Sequence, residues 1–387
     1  MTYMAQRVQG FGTTIFSEMT ALANKHQAVN LGQGFPNFPG PDFIKDAAIQ
    51  AIQNDINQYP PGSGLPSLRQ AIAKKMARFY GLPVNPDNEI TVTQGATEAI
   101  YASILGLVDP GDEVIIFEPF YESYLPAVQM AGGVPKFYTL RPPDWAIAED
   151  ELAALFSNKT KLILINTPHN PTGKVYSEKE MRLIANLCQK HDVIAITDEV
   201  YEHIIFDGKK HVCLAALPGM ANRTVTISSA GKTFSMTGWK IGWAIAAPEL
   251  TQSLFRVHQF ATYCAAAPFQ EAVATAMQCP DSYYTELRDM YQSSRDFLVD
   301  ALEEAQLNPV VPKGTYFIIT DISHLGFADD VAFCRFLTTE VGVTAIPPGA
   351  FYHNPADGAG LARFAFCKTR DMLEEAANRL AGLKDRI

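Results

Sequence analysis

A lysine among small and apolar neighbours has the clearest chemical potential in this sequence. Lys232 follows the apolar run at residues 225–227, and a second cation, Lys240, lies eight positions further along the chain. Burial and a nearby positive charge both lower the pKa of a lysine amine, and a lowered pKa lets the amine form an imine at neutral pH. We therefore predict a reactive amine at Lys232, with a structural lysine as the less usual alternative.

Polar residues follow two other apolar runs. Asp198 comes directly after the run that begins at residue 193, and a carboxylate there costs free energy unless it meets a cation or hydrogen-bond donors. Asn170 lies in Asn-Thr-Pro-His-Asn-Pro-Thr-Gly, residues 166–173, after the run at 162–165, and it could hydrogen-bond a ligand. Local roles stay open for both residues, Asp198 as a helix cap and Asn170 as a turn residue.

A turn of small residues joins a strand pattern to a helix pattern at Gln-Gly-Ala-Thr-Glu, residues 94–98. The first turn of a helix has unpaired N–H groups and the positive end of the helix dipole, and Gly95 would let an anion approach the backbone closely. Phosphate is the natural ligand of such a turn. The same turn could equally be a simple connection without a ligand.

Short apolar runs recur through the first two thirds of the chain, and they predict buried parallel strands. Helical patterns lie between them, such as the apolar face Leu68, Ile72, Met76 and the capping box from Ser177 to Glu180. The alternation predicts an α/β fold with a mostly parallel, doubly wound sheet, which binds ligands at the carboxyl ends of its strands. The runs are residues 90–92, 114–117, 162–165, 193–196, 225–227 and 241–246.

The pattern changes after residue 280, where a long amphipathic helix precedes strand patterns at residues 315–320, 343–346 and 361–366. This order predicts a smaller α+β unit. A chain of 387 residues also exceeds the roughly 250 to 300 residues at which a single core stops growing. We predict a large domain at residues 41–282, a small domain at residues 283–387, and an N-terminal arm at residues 1–40 that joins the small domain.

Charge and composition exclude several classes of partner. The net charge of −10, from 31 Lys and Arg against 41 Asp and Glu, disfavours nucleic acid and anionic lipid. The apolar runs are far shorter than the ~18 residues of a membrane helix, and the N-terminal segment lacks a signal-peptide core, so we predict a cytoplasmic protein without membrane contact. The six scattered cysteines form no Cys-x-x-Cys pair, which predicts reduced cysteines and no metal site.

Taken together, these segments resemble the class I aminotransferases, pyridoxal 5'-phosphate enzymes of fold type I. The resemblance extends from Asn-Leu-Gly-Gln-Gly-Phe-Pro at residue 30 to Arg-Phe-Ala-Phe at residue 363. The sequence is most similar to the branch of kynurenine or glutamine aminotransferases and bacterial methionine aminotransferases. The shared strings are NLGQGFP, NQY, EPF, NTPHNPTGKV, DEVYEH and SAGKTFSMTGWKIGW.

The resemblance implies a role for each candidate around the cofactor. Lys232 would be the Schiff-base lysine, and Asp198 would pair with the protonated pyridine nitrogen, which keeps the ring an electron sink. Tyr201 and Asn170 would hydrogen-bond the phenolic oxygen of the ring. The phosphate would be bound by Gly95, Ala96, Thr97, Ser229 and Lys240, with Tyr121 stacked on the ring and Tyr59 reaching the phosphate of the other subunit. Lys240 replaces the arginine of much of the class, so it supplies charge without a bidentate fork.

For the substrate, the resemblance implies that Arg363 clamps the α-carboxylate with help from the Gly34 backbone and from Asn170. Phe16, Tyr121 and the partner's Tyr263 and Cys264 would surround the side chain. Since residues 260–268 carry no charge, we expect methionine and aromatic donors rather than aspartate or glutamate. The resemblance also implies a homodimer with shared active sites and a cis peptide between Asn170 and Pro171.

The implied activity is a ping-pong transamination between an amino acid and a 2-oxo acid, in which the freed Lys232 moves the Cα proton. Two alternatives stay open. A Cβ-lyase would expel a leaving group from the same carbanion and release pyruvate without an acceptor. A non-catalytic ligand-sensing domain would bind the cofactor without reacting, although no DNA-binding segment precedes residue 30 in the sequence at hand.

Overall fold

The computed structural model describes residues 3–387, whose main element is a seven-stranded sheet. The α-helices of this part are α1 (Ile15–His26), α2 (Asp42–Gln53), α3 (Pro66–Tyr80), α4 (Gly95–Leu107), α5 (Tyr124–Met130), α6 (Glu149–Ala153), α7 (Glu178–His191), α8 (Ala230–Thr233), α9 (Pro248–Ala261), α10 (Ala267–Ala276), α11 (Asp281–Glu304), α12 (Asp330–Phe336) and α13 (Arg370–Leu380). The strands are β1 (Val29–Asn30), β2 (Ile90–Gln94), β3 (Glu113–Glu118), β4 (Val134–Thr139), β5 (Thr160–Asn166), β6 (Ile194–Asp198), β7 (Thr224–Ser229), β8 (Ile241–Ile245), β9 (Pro309–Val310), β10 (Phe317–Asp321), β11 (Val343–Thr344) and β12 (Leu361–Ala365).

The seven strands follow the order β2-β8-β7-β6-β5-β3-β4, which confirms the predicted α/β fold with a mostly parallel sheet. From β4 to β7 all neighbours are parallel, but β8 is antiparallel to both β7 and β2. The prediction of a parallel strand at residues 241–246 is therefore wrong. Only residues 230–240 connect β7 to β8, fewer than the dozen or more that a parallel crossover needs.

The hydrophobic pattern of the sequence predicted the strands that are fully buried and missed one that is not. The central strands are apolar because helices cover both faces of the sheet, and β8 is buried along its whole length. The pattern missed β4, an edge strand whose residues are mostly half-buried and include a proline and a lysine. The predicted capping box of α7 is present, since the Ser177 hydroxyl accepts from the Glu180 N–H and the Glu180 carboxylate accepts from the Ser177 N–H.

The C-terminal part contains the long helix α11 and a three-stranded antiparallel sheet in the order β12-β10-β9. The predicted strand at residues 315–320 begins later, at Phe317, because Thr315 has a φ of +64°. Near the N-terminus β1 pairs in parallel with β11, and Val29 lies opposite Val343. The N-terminal segment thus shares one apolar core with the C-terminal elements. The division at residues 40 and 282 stays a prediction.

Two features of residues 3–387 bear on the class of protein. None of the helices in this range combines the length and hydropathy needed to span a membrane. The six cysteines, all within the range, are unpaired, and five of them are buried.

Candidate active site

The carboxyl ends of three neighbouring parallel strands and the start of α4 border a cavity of about 300 Å³. Asn166, Asp198 and Ser229 end β5, β6 and β7, and all three line the cavity. This edge is where open α/β sheets bind ligands. The predicted site residues that line the same cavity are Phe16, Gly34, Gly95, Ala96, Thr97, Tyr121, Asn170, Asp198, Tyr201, Ser229, Lys232, Lys240 and Arg363.

Tyr59, Tyr263 and Cys264 are the predicted residues that lie outside this cavity. The two tyrosine rings meet edge to face, with centroids 5.6 Å apart. The exposed fractions are 83% for Tyr59 and 49% for Tyr263. All three residues were assigned by resemblance to the active site of the other subunit, so their roles stay predictions that a single chain does not test.

The amine of Lys232 lies at one wall of the cavity. Lys232 belongs to α8, the short helix that starts directly after β7, and its Nζ donates a hydrogen bond to the Tyr316 hydroxyl at 2.9 Å. Nζ also lies 5.5 Å from the centroid of the Tyr201 ring. Burial, helped by the positive charge of Lys240, lowers the pKa of the Lys232 amine to about 8. A larger fraction of this amine is therefore uncharged near neutral pH than in an exposed lysine, as a nucleophile requires.

Asp198 is a buried carboxylate at the end of β6. Its Oδ2 accepts a hydrogen bond from the Tyr124 hydroxyl at 2.7 Å, and its Oδ1 accepts from the Val200 N–H at 3.3 Å. No helix begins at this position, so the helix-cap alternative does not apply. Burial raises the pKa of Asp198 to about 6, whereas the hydrogen bonds lower it. The carboxylate forms no salt bridge within residues 3–387, although the charge of Lys232 also lowers its pKa, so a bound cation would stabilise its charge.

The first turn of α4 forms an open cradle. The Gln94 side chain does not cap this helix, the Glu98 carboxylate accepts only from the Gln94 N–H, and Gly95 has a φ of +76°. A Cβ at Gly95 would lie 3.1 Å from Cε and 3.2 Å from Nζ of Lys240, so a larger residue would crowd the cation. Gly242 allows β8 to approach this turn closely, because a Cβ at that position would lie 2.4 Å from the Gly95 carbonyl carbon. Free N–H groups beside a lysine suit a phosphate.

Arg363 lies across the cavity in β12, with its guanidinium stacked at 4.2 Å from the centroid of the Phe317 ring. Nη2 donates to the Gly32 carbonyl at 2.8 Å, and Nη1 donates to Asn170 Oδ1 at 3.3 Å. The buried Nε has no partner within the described part of the chain. Burial lowers the pKa of Arg363 to about 10, so the group stays charged at neutral pH. A carboxylate would neutralise this charge and use its remaining donors.

Asn170 connects Arg363 to the strand-end residues. Its backbone N–H donates to Asn166 Oδ1 at 2.6 Å, and its own Oδ1 accepts from Arg363. The peptide between Asn170 and Pro171 is cis, which confirms that prediction. Tyr201 completes this side of the cavity, and burial raises the pKa of its hydroxyl, which stays protonated.

Sequence reasoning missed several residues of the site, among them Phe317 and the three described next. Tyr316 joins Lys232 to the Gly34 carbonyl, to which its hydroxyl donates at 2.6 Å. Tyr124 donates to Asp198. Glu122 lines the cavity, and burial raises the pKa of its carboxyl while the charge of Arg363 opposes that shift. Tyr124 and Glu122 are neighbours of Tyr121, but only the folded chain shows that they face this site.

The donor set fits a phosphorylated aromatic aldehyde with a basic ring nitrogen. The uncapped turn of α4 with Lys240 suits the phosphate, the unpaired carboxylate of Asp198 suits a protonated ring nitrogen, and the Lys232 amine suits the aldehyde. Each group lines one cavity, and each lacks the partner that such a ligand would supply.

Comparison with known proteins agrees with this fit. The family Aminotransferase class I and II matches residues 26–380. The kynurenine–oxoglutarate transaminase of Dictyostelium discoideum is 42% identical, with 99% of this chain and 98% of that protein covered. The probable N-succinyldiaminopimelate aminotransferase of Mycobacterium tuberculosis is 45% identical, with 98% of each covered. A solved structure from Escherichia coli, described as having a methionine aminotransferase function, has a TM-score of 0.95 at 42% identity and covers 99% of this chain and 100% of its own.

The fold and the site therefore define a pyridoxal-phosphate-dependent transferase of amino groups. The chain belongs to the class I and II aminotransferases. Pyridoxal 5'-phosphate is the cofactor of this family, and its substrates are amino acids and 2-oxo acids.

Proposed function

We propose that this aminotransferase takes the amino group of methionine, aromatic and other large uncharged L-amino acids and passes it to a 2-oxo acid. The single observation that carries the proposal is that Lys232 and Arg363 line the same cavity. Donor and acceptor share an α-carboxylate, so one site serves both in turn. The reaction is therefore ping-pong: the first 2-oxo acid leaves before the second binds.

Arg363 binds the α-carboxylate of either substrate through two parallel hydrogen bonds, and Asn170 together with the Gly34 backbone orients it. This places the substrate Cα toward Lys232. When bound, pyridoxal phosphate would supply an aldehyde for the amino group and an acceptor for the electron pair that the Cα proton leaves behind. The uncharged Lys232 amine would accept that proton and deliver it to the aldehyde carbon of the cofactor, and the second half of the cycle would reverse these transfers. Tyr316 holds the amine in place through its hydrogen bond.

Two features of the cavity support large uncharged donors. Phe16 and Phe317 present aromatic rings to the substrate side, at 5.0 and 4.2 Å from the Arg363 guanidinium. Glu122 makes no side-chain hydrogen bond or ion pair with residues 3–387, and its carboxylate faces the same space. A second carboxylate on the substrate would be repelled by Glu122. This argues against the dicarboxylic amino acids and against the substrate in the name of the Mycobacterium tuberculosis relative.

The enzyme is proposed to act as a homodimer with shared sites. Tyr59, Phe260 and Tyr263 expose 83%, 87% and 49% of their surface in the single chain. Exposed aromatic clusters of this kind are typical of protein interfaces. Tyr59 and Tyr263 would then complete the active site of the partner subunit. The cytoplasmic location stays a prediction from the sequence.

A panel of single amino acids tests the proposal. Each donor is added to the holoenzyme without an acceptor, and the loss of the absorbance of the cofactor bound to Lys232 is measured. We expect methionine and phenylalanine to react fastest and aspartate and glutamate slowest. Aspartate as the fastest donor with methionine inactive would contradict the substrate class. Pyruvate released from cysteine conjugates without an acceptor would instead identify a Cβ-lyase, and cofactor binding without any reaction would identify a sensor.

A further inference from the structure

Residues 32–35 have all four consecutive carbonyl groups bound by side chains from the C-terminal part of the chain. Two buried cations and one tyrosine hydroxyl provide the short contacts, and the Cys367 Sγ adds a longer one of 4.0 Å to the Gln33 carbonyl, so the carbonyl face of this short segment is fully occupied. The contacts are Gly32 O with Arg363 Nη2 at 2.8 Å, Gln33 O with Lys368 Nζ at 2.9 Å, Gly34 O with the Tyr316 hydroxyl at 2.6 Å, and Phe35 O with Lys368 Nζ at 2.8 Å.

The N–H groups of the same segment divide into two pairs. Those of Gly32 and Gln33 donate to the Asn30 side chain at 2.9 and 3.3 Å. Those of Gly34 and Phe35 have no acceptor in the described range 3–387, and both residues line the cavity. The Gly34 N–H is therefore a free donor on the same wall as the Arg363 guanidinium.

The backbone at Gly34 also has little room to move. A Cβ at this position would lie 2.5 Å from Cζ of the Phe317 ring, so the main chain is pressed against that side chain. Phe317 in turn stacks on Arg363. The donor at Gly34 and the guanidinium thus have a defined relative position, provided that the carbonyls on either side are held.

Lys368 donates hydrogen bonds to the Gln33 and Phe35 carbonyls, and it has no charged partner within residues 3–387. Its side chain is 5% exposed and forms no ion pair with residues 3–387, while its Nζ lies 5.0 Å from the centroid of the Phe35 ring. Burying an ammonium group without an anion costs free energy. Consistent with this cost, burial lowers the pKa of Lys368. Lys368 does not line the cavity, so it does not contact the substrate itself.

We propose that Lys368 is a positioning residue for substrate binding: by holding the carbonyls of Gln33 and Phe35, it directs the Gly34 N–H at the α-carboxylate that Arg363 binds. The inference rests on the proposed function, because it presupposes a substrate carboxylate at Arg363. Its specific consequence is that Lys368 matters only for ligands with that carboxylate. A purely structural role would affect every ligand alike.

The test compares Lys368→Met with two other variants of the holoenzyme. Methionine keeps the length of the lysine side chain but donates no hydrogen bond. Lys368→Arg can still donate to both carbonyls. Asn37→Ala is the matched control, because Asn37 also links this region to the C-terminal part, accepting from the Thr369 N–H at 2.7 Å, but it contacts none of the four carbonyls.

Each variant is mixed with methionine, with 4-(methylthio)butanoate, which keeps the carboxylate but has no amine, and with 3-(methylthio)propylamine, which has the amine but no carboxylate. Cofactor absorbance gives the half-reaction constants for methionine and 3-(methylthio)propylamine. Calorimetry gives the affinity for 4-(methylthio)butanoate, which cannot react. In Lys368→Met we expect the affinities for methionine and for the carboxylate to fall by about tenfold, with the amine unchanged within about twofold. Lys368→Arg should recover most of the loss, and Asn37→Ala should resemble the unmodified enzyme.

Equal losses for all three ligands, or no loss for the carboxylate, would overturn the proposal. If Lys368→Met fails to fold, the same three ligands are compared in Lys368→Arg and in Lys368→Gln, whose amide can donate to one carbonyl. The proposal then predicts a larger loss of affinity in Lys368→Gln than in Lys368→Arg, and only for the two ligands that carry a carboxylate. If the unmodified enzyme reacts with no amino acid, the proposed function fails. In that case the calorimetric affinity for 4-(methylthio)butanoate still tests the role of Lys368.

Discussion

The two sides of the cavity are built in different ways. The side that we propose binds the cofactor (the cofactor side) consists of residues at or shortly after the ends of strands in one sheet, such as Gly95, Asp198 and Lys232. The side that we propose binds the substrate (the substrate side) joins distant parts of the chain, since the bond from Arg363 to Gly32 spans 331 positions and the bond from Arg363 to Asn170 spans 193. The first side follows from the sheet itself, whereas the second forms only when the two ends of the chain meet.

This difference predicts that substitutions on the two sides of the cavity affect activity in different ways. Substitutions on the cofactor side should affect every substrate equally, because all substrates react with the same cofactor. Substitutions on the substrate side should change affinity according to the chemical groups of each substrate and should leave cofactor binding nearly unchanged. Four substitutions, in order of decreasing effect, test the separation.

The largest effect is expected for Lys232→Ala on the cofactor side. The variant loses both the amine that binds the cofactor and the base that moves the Cα proton, so kcat should fall by at least about 10⁴-fold for every donor. Steady-state rates with methionine and phenylalanine measure the loss. Lys209→Ala, an exposed lysine, is the control. Substantial turnover by Lys232→Ala without an added amine would contradict the assignment.

Arg363→Met on the substrate side should lower kcat/KM for methionine by about 10²- to 10³-fold, because a substrate carboxylate would be buried without its partner. The neighbouring phenylalanine rings accommodate the apolar side chain. Cofactor affinity, measured by titrating the apoenzyme, should change by less than about threefold. A parallel loss of cofactor affinity would show that the two sides of the cavity are not independent.

Tyr124→Phe is expected to have a smaller effect on the cofactor side. The Tyr124 hydroxyl donates to the charged form of Asp198, whose pKa of about 6 is already raised by burial. Without this bond the pKa rises further, so the carboxylate loses its charge at a higher pH and cofactor affinity at pH 7 falls by about tenfold. Affinity should recover as the pH is raised. A titration at several pH values measures this, and an unchanged pH profile would refute the role of the hydroxyl.

Glu122→Gln is expected to have the smallest effect, and it concerns specificity alone. Removing the carboxylate should raise kcat/KM for glutamate relative to methionine by about fivefold, since the repulsion of a second carboxylate is lost. The ratio is measured at one pH in parallel with the exposed control Glu151→Gln. A ratio that stays the same would place Glu122 outside the path of the substrate side chain.

The same difference explains how much of the molecule the sequence predicts. The strand-end residues lie in short motifs whose apolar runs predict where they meet, so the fold and the positions of these residues follow from local patterns, whereas their roles around a cofactor come from the family resemblance. Tyr316 and Tyr124 contact Lys232 and Asp198 across 84 and 74 positions, and no local pattern contains those pairs. Lys368 gave no signal because its partners are carbonyl groups, which every residue has. The parallel direction predicted for β8 was wrong because that direction depends on the length of the connection at residues 230–240, not on the residue types in the strand.

The short connection between β7 and β8 also limits how the enzyme can respond to its ligands. Its two ends are paired in adjacent strands, with Ser229 opposite Gly242, so we expect the backbone that carries the Lys232 amine and the cation at residue 240 to shift little when a ligand binds. A change of shape around a bound amino acid would then fall to the opposite wall, at residues 32–35 and Arg363.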